Sequence, residues 1–145
     1  METNDISGVW RLRAFYSEDV ATGRRTEPFG PNPNGVLILH PEGRMVALLT
    51  PAERTAPTTD AERSVAFQQL VAYSGRYRLE PPDQFITTVD IAWFQPWVGS
   101  EHPRSYRFGG DTLDIVSAPV RTPLTGDALV RGVVSWVREG SAADG

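Results

Sequence analysis

Early in the chain Trp10, Leu12, Ala14 and Tyr16 alternate with Arg11, Arg13 and Phe15. A period of two sends successive side chains to opposite faces and predicts a long β-strand. The same pattern predicts strands over 36–40 and 45–50, with Pro41-Glu42-Gly43 as the turn of a hairpin. Further strands follow over 76–80, 84–94, 106–108 and 113–116, the last two joined by Gly109-Gly110-Asp111. The 84–94 stretch is rich in β-branched and aromatic residues, and a final strand spans 129–137. One segment departs from this period. Residues 60–73 carry good helix formers with Ala66, Leu70 and Tyr73 at helical spacing, Phe67 and Val71 beside them, and Thr59 or Asp60 as the N-cap.

Between these elements lie Pro- and Gly-rich stretches. Residues 17–34 hold Gly23, Pro28, Gly30, Pro31 and Pro33 together with Asn32 and Asn34, and predict a long loop, placed to act as a lid. Residues 51–59 and 118–126 read as loops as well. The ends, 1–6 and 140–145, are small and polar and are expected to fray. The sum is eight strands with one helix inserted after the third. Short connections between neighbours imply antiparallel order, and eight such strands suit an up-and-down β-barrel. A sandwich is the rival architecture, but its crossovers call for longer connections at regular places. No internal repeat occurs, and 145 residues fit one domain.

Composition narrows the function classes. Hydrophobic residues make up 40% and charged residues 22%, enough apolar matter for a real core. The net charge of −4 and the absence of any basic run longer than Arg24-Arg25 argue against nucleic acid as a partner. All 14 cationic residues are arginine. There is no cysteine, hence no disulfide and no thiolate chemistry. The amino terminus lacks the basic and apolar regions of a signal peptide, and no apolar run reaches the ~20 residues of a membrane helix. These features predict a cytoplasmic protein with no membrane partner.

Gly8-Val9-Trp10-Arg11-Leu12 opens the first strand with a Gly-x-Trp pattern. It is followed by Pro28-Phe29-Gly30-Pro31-Asn32-Pro33 leading into Gly35-Val36-Leu37-Ile38, then by Ala72-Tyr73-Ser74-Gly75-Arg76-Tyr77, Trp97-Val98-Gly99, Gly110-Asp111-Thr112-Leu113 and Trp136-Val137-Arg138. In these segments the chain resembles the bacterial and fungal lipocalin-like domain proteins over almost its whole length. The resemblance implies a barrel whose Trp10 plugs the closed end, with Arg138 or Arg131 lying on that ring. It does not carry a reaction with it. Where it implies His and Glu on the strand before Trp97, this chain has Thr88 and Asp90, so a histidine-based mechanism is not transferred to that position.

The strand over 85–94 poses the central chemical question. Its odd residues (Phe85, Thr87, Val89, Ile91, Trp93) and its even residues (Ile86, Thr88, Asp90, Ala92, Phe94) face opposite sides. Hydrophobicity sends the odd set inward and leaves Asp90 in water. If the even set faces in, Asp90 sits desolvated in an apolar pocket, and with Arg104 or Tyr106 beside it becomes a candidate general base in a cofactor-free isomerisation or cyclisation. Trp93, Phe94 and Trp97 cluster around Gln95-Pro96 at the expected barrel mouth. They read as a clamp for a planar ligand, as a cap over the core, or as the contact of a homodimer.

The two histidines, His40 and His102, are expected at solvated loop ends, too far apart to make a metal site. No nucleophile-elbow, P-loop or dinucleotide pattern occurs, so no cofactor is expected. The leading functional expectation is a binder of an apolar small molecule, oriented by groups such as Tyr16, Thr88 and Arg104 and clamped by Trp93 and Trp97. The alternative is a cofactor-independent isomerase or cyclase using the same cavity, and a third is an interaction module. Proximity alone supplies on the order of 7 kcal/mol of barrier reduction at best, so a shaped cavity needs few catalytic residues.

Overall fold

The computed structural model describes residues 5–121 and 128–140. Ten strands, one α-helix and one 3₁₀ turn appear in it: β1 Gly8–Asp19, β2 Arg25–Thr26, β3 Asn34–Leu39, β4 Arg44–Thr50, α1 Asp60–Gln68, β5 Val71–Glu80, β6 Gln84–Ala92, the turn Gln95–Trp97, β7 Glu101–Phe108, β8 Thr112–Val116, β9 Val120–Arg121 and β10 Leu129–Arg138. Eight of them run β1-β3-β4-β5-β6-β7-β8-β10, and β10 pairs back onto β1 to close the sheet. All pairings are antiparallel, so the architecture is a closed up-and-down barrel. The two-residue strands β2 and β9 merely extend its rim, on β1 and β10 respectively.

Connections of unequal length make the two barrel ends different. One end carries only the tight turns after β3, β5 and β7, together with residues 5–7. It is filled with apolar side chains: Trp10, Leu39, Met45 and Leu113 are all at most 1% exposed. Trp10 donates from Nε1 to the Ile6 carbonyl (2.9 Å) and meets Phe108 edge-on. Arg138, rather than Arg131, lies over the Trp10 ring at 4.3 Å and donates to the carbonyls of Ser7, Asp5 and Gly110. Gly8 makes this possible, since a Cβ there would stand 2.8 Å from the Arg138 guanidinium. Residues 5–7 are therefore tied down and Ile6 is buried, contrary to the expected fraying. Residues 1–4 and 141–145, and most of the predicted 118–126 loop, lie outside the described residues.

The other end receives every long connection. There α1 starts at a capping box, in which Thr59 accepts from the Glu62 N–H and Glu62 reaches back to the Thr59 N–H. The helix ends at Gln68, not at residue 73. Val71 and Tyr73 instead pair with Leu49 and Ala47 on β4, because a β-branched and an aromatic residue gain more from a two-sided ladder than from one further helical turn. The 17–34 stretch is likewise not loop throughout: β1 runs on to Asp19 and pairs with β2. Its remainder brings Phe29 back onto the barrel, where it is buried edge-on against Phe15 at 5.1 Å.

Two β-bulges reset which side chains face inward. Between Leu12 and Ala14 the pairing of β1 with β10 slips by one residue. Trp10 and Leu12 point in, but beyond the slip Phe15 takes the inward place and Tyr16 turns outward beneath the Arg25 guanidinium, 4.2 Å from its ring. The second slip lies between Ser74 and Gly75 on β5, opposite Asp90 on β6. Phe85, Thr87 and Val89 are buried, whereas Ile91 is 65% exposed because the extra residue reverses the alternation after it.

Candidate functional site

With one end packed solid, the space left over lies in the other half of the barrel. It is a cavity of about 250 Å³. Most of its wall is apolar, from Phe15, Leu37, Leu49, Phe85, Ile115 and Val134. The polar part of the wall is concentrated on two adjacent strands. Thr87 of β6 stands opposite His102 of β7, and the next inward position of β7 is Arg104, opposite Phe85. Tyr73 and Trp97 adjoin this strip: the Trp97 ring meets Tyr73 edge-on at 5.2 Å and His102 at 4.7 Å. Trp136 of β10, two strands from β7, also lines the wall; its indole Nε1 is buried within the packing and unbonded among the described residues.

The hydrogen bonds define the state of His102. The Ser100 hydroxyl donates to the Trp97 carbonyl, so at its 2.9 Å contact with His102 Nε2 the hydroxyl oxygen is the acceptor. That assigns the proton to Nε2 and leaves Nδ1 as an acceptor. Burial, and then the positive charge of Arg104, lower the imidazole below its ordinary value, so His102 is neutral near pH 7. Burial raises the Tyr73 phenol, which stays protonated, although the Arg104 charge opposes the shift. Arg104 itself is lowered by burial, yet a guanidinium remains charged throughout the physiological range.

Of the residues singled out in the sequence, Arg104 and Trp97 line the cavity. Tyr106 shares the inward face of β7 with Arg104 but packs against the core rather than the cavity wall. Trp93 sits at the mouth, donating from Nε1 to the Phe67 carbonyl (3.1 Å) and meeting Trp97 edge-on at 5.1 Å, and so fastens α1 to the barrel. Thr88 and Tyr16 face away from the cavity. Asp90 is also on the outer surface, where both carboxylate oxygens accept from Arg44 (2.8 and 3.0 Å) and hold the carboxyl below its ordinary value. Asp90, Arg104 and Tyr106 therefore do not come together. The odd residues Phe85, Thr87 and Val89 face in, so alternation alone turns Asp90 outward, and the base on which the isomerase alternative depended is outside the cavity. Replacing Asp90 by Asn is expected to leave the affinity for any cavity ligand unchanged, as a binding titration would show.

Sequence reasoning missed His102, Tyr73 and Thr87. His102 is not a loop residue, because β7 begins at Glu101. Pro103 made this stretch read as loop, since Pro is excluded from central ladders. It is accommodated because β8 pairs with β7 only from Ser105 onward, leaving the edge open at Pro103. The signal that could have found the strand is the inward alternation His102, Arg104, Tyr106, Phe108. His40 is exposed, its Nδ1 accepting from the Glu42 N–H in the turn after β3.

Among the described residues, no helix is long and apolar enough to cross a membrane. No curated protein matches the sequence. Residues 7–139 do match a family, the lipocalin-like domain. The match begins just before the Gly8-Val9-Trp10 segment and ends just after Arg138, the two partners at the plugged end. With the closed eight-stranded barrel and the match over nearly its full length, the chain belongs to the lipocalin-like domain family.

Proposed function

We propose that this protein binds a small, largely apolar molecule inside the barrel. The observation that carries the reading is the cavity itself. It occupies the half of the barrel where a packed core would otherwise continue, its walls are mainly aliphatic and aromatic, and only a few polar groups stand among them. Such a composition is typical of ligand sites, in which apolar area supplies affinity and a few polar groups set orientation. The volume falls just below the roughly 300–1,000 Å³ range of ligand pockets, so a compact molecule fits better than a long chain. Phe29 packs edge-on against Phe15, a residue of the cavity wall, and so anchors the 27–33 segment beside the barrel. The net charge of −4 supports a small-molecule partner over a polyanionic one.

Ala47 tests the reading. It is buried in β4, faces the cavity and stands opposite Tyr73. Ala47→Phe fills the space with a side chain that the cavity can take. The variant is expected to remain folded by circular dichroism and to lose at least about tenfold in affinity for an apolar ligand, the equivalent of ~1.4 kcal/mol. Undiminished binding by a folded variant would place the ligand elsewhere.

A further inference from the structure

Among the described residues, the cavity wall has an uncorrected charge imbalance: Arg104 is the one formally charged residue lining it, and no Asp or Glu does. On the outside of the barrel the pattern is the reverse: Arg13, Arg25, Arg44, Arg63, Arg78 and Arg131 each stand within ion-pair distance of a carboxylate. Arg104 makes no ion pair among the described residues. Its single protein hydrogen bond is to the adjoining Pro103 carbonyl (2.9 Å), leaving most of the guanidinium's five donors unused.

A second, independent observation points the same way. The phenol of Tyr73, which stays protonated, adjoins Arg104 in the cavity wall, and its hydroxyl has no partner among the described residues. A donor left unpaired away from water is costly, and an unpaired charge there costs more. Two residues with unused donors, one of them cationic, in an apolar cavity define what is missing: an acceptor-rich group with one negative charge.

Resting on the small-molecule reading above, we propose that the ligand is a compact amphipathic carboxylic acid whose carboxylate pairs with Arg104 while its apolar body lies against Phe15, Leu49 and Val134. The planar guanidinium fork matches a carboxylate, to whose oxygens it donates two parallel N–H···O bonds. A single positive charge neutralises a monoanion. A phosphate dianion would leave one charge uncompensated among apolar walls, so a phosphorylated ligand is disfavoured.

The test uses two compounds of one shape, 1-naphthaleneacetic acid and 1-naphthaleneacetamide, titrated calorimetrically into the full chain at pH 7. The wild type is expected to bind the acid about tenfold or more tightly than the amide, the ratio one charge-assisted hydrogen bond supplies. Arg104→Met is expected to abolish that preference, and Arg104→Lys to retain a preference for the acid. Equal affinities in the wild type would overturn the proposal without recourse to a variant, as would a preference that survives Arg104→Met. The small-molecule reading would stand in both cases, because the amide still binds. If neither compound binds, that reading fails, and the carboxylate proposal with it.

Discussion

Gly75→Ala is expected to destabilise the barrel by about 3 kcal/mol or more, at the upper end of what overpacking costs. The added Cβ would run into the Thr88 carbonyl and also approach the Val89 Cα, and both are backbone atoms of the neighbouring strand that cannot rotate away. Relief requires β5 and β6 to separate at the bulge, where the ladder between them is already irregular. Gly132→Ala is the natural control. Its nearest neighbour would be the Ser117 hydroxyl at 3.5 Å, ordinary van der Waals contact, and it should stay within about 1 kcal/mol of wild type. Urea unfolding of the two variants measures the difference directly. An unchanged midpoint for Gly75→Ala would mean that the bulge relaxes freely and does not hold β5 and β6 in contact.

Trp10→Ala is expected to cost about 3–5 kcal/mol, the usual loss for a large aromatic removed from a core. Trp10 is fully buried, and its removal also leaves the Ile6 carbonyl without its donor and the Arg138 guanidinium without the ring beneath it. For a domain of this size that loss corresponds to a fall in Tm on the order of 10–20 °C. Since total stability is commonly about 5–15 kcal/mol, the variant would be close to unfolded at physiological temperature. Calorimetric scans of wild type and variant give the comparison, and a loss under about 1 kcal/mol would show that the plugged end does not hold the barrel together.

The eight barrel strands and their antiparallel order were legible because each strand keeps a period of two and each turn carries Pro, Gly or Asn at its bend. The pairing of Arg138 with Trp10 was narrowed to two arginines, because the resemblance put a basic residue there and only 131 and 138 lie on the last strand. What the alternation could not reveal is a one-residue insertion in a ladder. Reading on from Trp10 and Leu12 places Tyr16 inside, and only the bulge at Arg13, which appears when β10 is laid beside β1, exchanges it for Phe15. The site suffered most from this. Arg104 and Trp97 could be picked out as isolated residues, whereas Thr87 and His102 become a pair only through the register of β6 against β7. Local sequence does not encode that distance.

The closure of β10 onto β1 also bears on how the chain is made. Leu129 follows Asp19 by 110 residues, so β1 leaves the ribosome long before the strand that covers its open edge. At about 5–20 residues per second, that edge stays bare for roughly 5–20 s. A bare edge strand is a template for pairing with another chain, and charged side chains are the usual protection against it. Arg11, Arg13, Glu18 and Asp19 space such charges along β1. They guard the strand during the interval in which the nascent barrel has seven staves and no seam.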